Sequence, residues 1–209
     1  MANKFTQRYS TAILAILSLL ILGCGQSALS PQEYVRWVDS DNSGLVKYKE
    51  LNGFKITSKL IPSEYIAIKE TYAEHKEFNQ ETYNKKLKEV SGQYNIYIQL
   101  APLSGNKSAL RKDLASADDY YYRVEYFNFL SESDVHLIAG NDTLQCALSN
   151  FENNYEITPF NNWQLVFEKP TQPLKSDLKF VWDDQALGLG RIRFNYNIED
   201  INNIPTITF

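Results

Sequence analysis

The sequence predicts an α+β fold, with helices in the N-terminal part of the chain and an antiparallel sheet or sandwich-like β region in the C-terminal part. Apolar residues recur at helical spacing in three segments of the first 90 residues. After that point, short alternating segments are separated by turn residues, which is typical of antiparallel strands. The chain has 209 residues, 44% of them hydrophobic, which is enough for one domain with a closed core.

Three helices are predicted ahead of the sheet. The first begins at Pro31, directly after Ser30, so that it has both a capping side chain and a proline at its first position. Pro62 opens the second helix. Asn79 caps the third, which ends at Gly92.

Strands are predicted where apolar and polar residues alternate. The clearest signal is a hairpin with arms at 45–51 and 54–60, because Asn52-Gly53 suits the two positive φ angles of a type I′ turn. Alternation over 94–100 predicts the next strand. Further strands are expected at 120–130, 135–139, 143–151, 163–168, 177–183, 190–196 and 205–209.

The first residues of the chain have a basic start followed by an apolar run. Lys4 and Arg8 precede residues 12–22, which contain one Ser and no charged residue. Eleven residues of helix cover about 16 Å, roughly half of a ~30 Å hydrocarbon core. The run is therefore too short for a stable membrane span and has the length of a signal-peptide core.

Residues 21–24, with the sequence Ile-Leu-Gly-Cys, directly follow this run and resemble a bacterial lipobox. The resemblance implies that the Cys24 thiol receives a diacylglyceryl group and that a peptidase cleaves just before Cys24. An ordinary signal peptide, or a buried helix that ends in Cys, is the alternative. The predicted division of the chain is a lipoprotein signal peptide at 1–23, the lipidated Cys with a short tether at 24–30, and a single α+β domain at 31–209.

The body of the chain also resembles small uncharacterised envelope lipoproteins of the Bacteroidota type. The segments that carry this resemblance lie at 33–38, 42–47, 62–67, 180–190 and 205–209. No activity is known for these proteins, so the resemblance implies an envelope location and no reaction.

The predicted location is the cell envelope, with membrane lipid as the partner of acylated Cys24. Two or three lipid chains give stable anchoring, whereas one chain gives only marginal binding. Surface lipoproteins of such bacteria tend to carry an acidic cluster after the Cys, and residues 25–30 contain none. We therefore expect an anchor on the periplasm-facing side of the outer membrane.

Non-enzymatic binding of a protein or a cell-wall glycan is the main functional prediction. Two His and two Cys are too few for a zinc cluster of four such ligands. A net charge of −4 does not favour a nucleic-acid partner. No catalytic, cofactor-binding or metal-ligating residue is assigned.

One alternative is a calcium-dependent binding module at residues 39–50, which have the spacing of an EF-hand loop. The residues in the required positions are Asp39, Asp41, Ser43, Gly44 and Glu50. However, the Asn52-Gly53 turn follows too closely for the second EF-hand helix, and Lys47 would place a positive charge beside the ion. We favour the other interpretation, a helix-to-strand turn rich in Asp and Asn.

A second alternative is an envelope hydrolase centred on His136. Ser131, Ser133 and Asp134 lie near His136 in the sequence and would supply the nucleophile and the acid. Nearness in sequence does not give triad geometry, and the chain has no G-x-S-x-G motif. We expect His136 to be a partly buried structural residue of a strand.

Two further features have no assigned function. Cys146 lies in an apolar segment, and once Cys24 is lipidated it has no partner for an internal disulfide. Residues 120–129 are rich in Tyr and Phe and are expected to place rings on both faces of a strand. Such rings either bind sugars or proteins or fill the core, and we favour core packing.

Overall fold

The computed structural model describes residues 28–105, 107–155 and 157–209. Within this part of the chain eight strands pair into one antiparallel sheet, with the strand order β1-β2-β3-β6-β5-β4-β7-β8. The strands are β1 (Val46–Leu51), β2 (Phe54–Ile61), β3 (Gln93–Pro102), β4 (Val135–Ala139), β5 (Asp142–Glu152), β6 (Asn161–Glu168), β7 (Leu178–Asp184) and β8 (Gly190–Tyr196).

Within the described residues, five short α-helices accompany the sheet. They are α1 (Pro31–Val38), α2 (Ser63–Glu74), α3 (Gln80–Val90), α4 (Ala117–Glu125) and α5 (Ile198–Asn202). A π-helix (Tyr126–Leu130) continues α4. Among the described helices, none combines the length and the apolar character needed to cross a membrane.

The predicted separation of N-terminal helices from a C-terminal sheet is wrong. Strands β1, β2 and β3 come from the first half of the chain and belong to the same sheet as β4–β8, while α4, the π-helix and α5 lie in the second half. The physical reason is that an isolated hairpin is marginally stable in water. The β1–β2 hairpin buries Phe54 and Ile56 by pairing with β3, so it is an integral part of the sheet.

The individual helix and hairpin predictions in the first half are confirmed. Helices α1, α2 and α3 begin at or within one residue of the predicted starts. Asn52 and Gly53 have φ angles of 48° and 77° between β1 and β2, as a type I′ turn requires.

The predicted strand at 120–130 is wrong, because this segment forms most of α4 and the whole π-helix. A capping box starts α4: the Asp119 amide donates to Ser116 Oγ at 3.2 Å, and the Ser116 amide donates to the Asp119 carboxylate at 2.9 Å. Ser followed by an acid three residues later is a helix-start signal that competes here with the strand preference of Tyr and Phe.

The predicted strand at 205–209 is also wrong. This segment makes only an isolated parallel bridge, in which the Leu29 amide donates to Thr206 O and the Thr208 amide donates to Leu29 O, both at 2.9 Å. The bridge ties the two ends of the described chain together without continuing into a ladder.

The sheet curls until its edge strands β1 and β8 approach each other, and side chains cross the seam between them. The hydroxyl groups of Ser58 and Tyr196 are 2.6 Å apart in the interior. At one end of the seam Asn52 Nδ2 donates to the Gly188 carbonyl at 2.8 Å. The seam is therefore joined by side chains, while the ladder hydrogen bonds of β1 and β8 run only to β2 and β7.

One face of the curled sheet encloses the core, and the connections cover its two ends. Helices α2 and α3 connect β2 to β3 at one end, which we call the α1–α3 end. The connection from β3 to β4 leaves from the opposite end and contains α4 and the π-helix; we call this the π-helix end. Trp163 and Trp182 are fully buried between the ends, with ring centroids 5.3 Å apart.

Candidate functional site

A groove of about 670 Å³ lies between α2 and the outer face of the sheet, and we call it the α2 groove. Strands β2, β3, β6 and β5 form its floor, and residues of α2 together with Asp39 form its wall. The groove is polar and aromatic on the floor, with Tyr97 and Gln164, and more apolar toward α2, with Ile61 and Ile66.

Alternation along β3 determines which side chains face the groove. Ile96 and Ile98 point into the core and are almost fully buried, so Asn95 and Tyr97 point outward. In the sheet register Tyr97 pairs with Lys59 on one side and with Gln164 on the other. Paired residues lie on the same face, so these three side chains form one row across the groove floor.

An ion pair fixes one end of the α2 groove. Lys59 pairs with Asp39, and the Tyr65 hydroxyl donates to Asp39 Oδ1 at 3.2 Å. The Lys59 ammonium also lies over the Tyr65 ring, 4.3 Å from its centroid. Burial, with the negative charge of Asp39, raises the pKa of Tyr65 to about 12, so this hydroxyl remains a hydrogen-bond donor at ordinary pH.

A hydrogen-bonded row of amides lies at the other end. Glu152 accepts from Asn162 Nδ2 at 2.9 Å and from Gln164 Nε2 at 3.1 Å. Gln99 Nε2 donates to Asn162 Oδ1 at 3.3 Å. Burial, with the nearby charge of Glu152, raises the pKa of Tyr97 above its ordinary value. The row holds planar donors and acceptors in fixed positions beside an aromatic ring.

Asn95 lines the groove with an unsatisfied donor. Its Nδ2 atom is buried and has no hydrogen-bond partner among the described residues. Leaving such a group unpaired costs about 1–3 kcal/mol.

The structure does not bring the carboxylates of the 39–50 loop together. Asp39 is engaged with Lys59, and Glu50 is exposed on β1 opposite Lys55. Gly44 has a φ of 70°, and a Cβ atom there would overlap the Asp200 carboxylate. In the described parts of the chain, no group of three or more His, Cys, Asp or Glu residues is arranged to hold a metal ion.

The two serines considered for a hydrolase direct their hydroxyl groups away from His136. His136 is half-buried on the outer face of β4, opposite Gln145 and Val181. Ser131 Oγ donates to the Phe127 carbonyl at 3.2 Å, and Ser133 Oγ donates to the Leu130 carbonyl at 2.9 Å. Both hydroxyl groups are thus engaged with backbone of the π-helix and not with His136.

The two cysteines lie in different parts of the chain. Cys24 lies outside the described residues. Cys146 is half-buried beside a bulge in β5, and its Sγ donates to the Leu148 carbonyl at 3.1 Å. Burial raises the pKa of the Cys146 thiol to about 11, so the nucleophilic thiolate is scarce at ordinary pH.

The aromatic residues of 120–129 divide between core and surface. Tyr126 and Phe127 are buried, and the Trp182 indole donates to the Tyr126 hydroxyl at 3.2 Å. Tyr121 and Phe129 are exposed. Core packing therefore accounts for only part of the aromatic content of this segment.

The α2 groove was not predicted from the sequence, although the alternation over 94–100 implies that Asn95, Tyr97 and Gln99 share one face of a strand. The residues that complete the floor, Gln164 and Glu152, come from strands more than fifty residues further along the chain. A polar face on one strand is the available signal, and it does not show what lies beside it.

The comparisons with known proteins assign no family to this chain. No protein-family model matches it, and no curated protein matches it. Among solved structures it is similar to a novel protein of unknown function from Burkholderia pseudomallei, with 12% sequence identity over 85% of this chain and 95% of that chain, and a TM-score of 0.40.

Proposed function

We propose that this protein is a non-enzymatic envelope protein, anchored to lipid through Cys24, that binds a saccharide component of the envelope in the α2 groove. The lipobox-like residues 21–24 after the apolar run 12–22 support the anchor, and the lack of acidic residues at 25–30 supports the periplasm-facing side. The groove supports the binding role.

The observation that carries the saccharide proposal is the composition of the groove floor. Sugar hydroxyl groups both donate and accept, and amide and carboxylate side chains offer planar partners for them. The apolar C–H faces of a sugar ring pack on aromatic side chains. Tyr97 next to Gln164 and Glu152 combines both kinds of contact. The groove volume of about 670 Å³ is in the range of ligand sites.

Polar groups at the Asp39 end of the α2 groove are held in position by contacts with one another. The ion pair of Lys59 with Asp39 fixes the Tyr65 hydroxyl nearby, so the polar groups at this end keep their positions before a ligand arrives.

Replacing Tyr97 with alanine is expected to weaken saccharide binding by about tenfold, because it removes the ring on which the sugar packs. Soluble N-acetylglucosamine oligomers are the probe, since cell-wall glycans contain this sugar, and calorimetric titration of the full chain is the measurement. Gln164→Ala, at an exposed position, is expected to weaken binding in the same direction without disturbing the fold.

The matched control for this experiment is Tyr48→Ala. Tyr48 is an exposed tyrosine on the same outer face of the sheet, on β1 and outside the groove lining. Its removal should leave the affinity unchanged. Absence of binding by the unaltered protein, or equal losses for Tyr48→Ala and Tyr97→Ala, would contradict the assignment of the groove.

A protein is the second candidate partner, and exposed residues at the π-helix end favour it. Tyr121, Phe129, Tyr155 and Ile157 are exposed in two connections that meet at this end of the sheet. Aromatic residues are enriched at protein interfaces. A photo-crosslinking amino acid at position 129 is expected to give one adduct of defined mass in cells, and the same group at Tyr48 none. Equal crosslinking from both positions would indicate non-specific contact.

A further inference from the structure

Three cations line a second concavity that shares no residue with the α2 groove. This concavity, of about 560 Å³, lies beside the seam between β1 and β8, next to β4 and β7, and is lined by Lys49, Lys179 and Arg193. Its other lining residues are Ile138, Val181, Phe194 and Asn195. We propose that it binds a phosphomonoester group through the three cations, and we call it the anion site.

The sheet register places two of the cations next to each other. Lys179 pairs with Asn195 across β7 and β8, and Arg193 is two residues from Asn195 on the same strand. Lys179 and Arg193 are therefore diagonal neighbours on one face, about 7–8 Å apart at the backbone. Lys49 pairs with the buried Ile56, so it extends from the core-facing side of β1 and reaches the site at the seam, where its ammonium lies 5.7 Å from the centroid of the Phe194 ring.

None of these three cations forms an ion pair with another described residue. Elsewhere on the same sheet, by contrast, Lys59 pairs with Asp39 and Arg191 pairs with Asp183. Three cations that line one concavity and form no ion pair there repel one another, and an anion between them relieves this repulsion.

Asp177 and Asp183 are the carboxylates that interact electrostatically with Lys179 and Arg193, and both are already engaged. Asp177 accepts from Asn195 Nδ2 at 2.9 Å and from a backbone amide of α5 at 3.0 Å. Asp183 accepts from Arg191 Nη2 at 2.9 Å. These hydrogen bonds hold the two carboxylates in place. The carboxylates therefore reduce the positive potential of the anion site but do not occupy it.

The floor of the anion site is apolar. Val181 lies on the outer face of β7 but is only 3% exposed, and Ile138 lies beside it. A charge above a dry floor is less screened than one in open water. Arg193 can present two parallel N–H groups to phosphate oxygens, and the two lysines add point charges. This combination suits a phosphomonoester dianion better than a single carboxylate.

The test is a calorimetric titration of the full chain with glycerol 3-phosphate at constant ionic strength. The double variant Lys179→Gln with Arg193→Gln is expected to bind at least about tenfold more weakly, because it removes two charge-assisted contacts. The control, Lys55→Gln with Lys88→Gln, removes the same charge at two exposed positions outside the site and should bind like the unaltered protein.

The phosphomonoester could belong to a soluble molecule or to a lipid headgroup, and a second arm of the experiment distinguishes these sources. Short-chain phosphatidic acid, used below its micelle concentration, carries the same phosphomonoester as glycerol 3-phosphate. An affinity at least about tenfold higher for the lipid supports a headgroup, and equal affinities support a soluble ligand. The proposal is overturned if neither probe binds, or if the double variant binds as tightly as the control.

Discussion

Replacement of Phe127 with alanine is expected to lower the free energy of unfolding by about 3–5 kcal/mol, the range for a large aromatic residue in a core. Phe127 is 0% exposed and stacks on Phe151, with the ring centroids 4.6 Å apart. It also meets the edges of Trp163 and Trp182 at 5.5 and 5.9 Å. Removal of the Phe127 ring opens a cavity among these three neighbouring rings, which cannot move together to fill it. Thermal unfolding should show a midpoint lowered by roughly 10 °C.

The matched control is Phe129→Ala in the same π-helix. Phe129 is 76% exposed, so its removal should change the free energy of unfolding by no more than about 0.5 kcal/mol. The comparison also tests the conformation of the segment. In an extended strand, residues 127 and 129 would lie on the same face and have similar effects. Equal destabilisation by the two variants would contradict the helical arrangement.

The sequence was sufficient to predict an element correctly where one short segment determines its structure. The Asn52-Gly53 turn has few conformational alternatives, and Ser30 with Pro31 defines a helix start independently of the rest of the chain. The hairpin and the first helix therefore agree with the sequence prediction. The pairing of that hairpin with β3 depends on the whole sheet, and the sequence did not show it.

The strand prediction for residues 120–130 was wrong because the composition of this segment and its surroundings favour different structures. Tyr and Phe prefer strands, yet this segment lies over the end of the sheet, where Phe127 fills a space bounded by Trp163 and Trp182. That space is created by strands β6 and β7, both later in the chain. Tertiary packing thus decided a conformation that intrinsic preference would have assigned differently.

The α2 groove and the anion site could not be predicted from the sequence for a related reason. Each is assembled by register: Tyr97 meets Gln164 because β3 pairs with β6, and Lys179 meets Arg193 because β7 pairs with β8. Lys49 joins the second site only because the sheet curls and brings β1 to β8. A one-residue change of register would turn these side chains to the other face, so their grouping follows from pairing and not from spacing.

Replacement of Cys24 with serine is expected to abolish incorporation of labelled fatty acid in cells, because serine lacks the thiol that receives the diacylglyceryl group. The prediction depends on residues 21–24 and the apolar run before them. Without acyl chains the protein should also leave the membrane fraction, since the lipid chains supply the anchoring free energy.

The chain supplies its own control for this experiment in Cys146. Cys146→Ser removes the second thiol of the sequence and should leave lipid labelling intact, because that thiol is half-buried in β5 with a pKa raised by burial to about 11. Loss of label only in Cys24→Ser locates the acylated atom at Cys24. Continued labelling of Cys24→Ser would contradict acylation at Cys24. The α2 groove and the anion site are formed entirely by described residues, so their binding experiments keep their meaning whichever result is obtained.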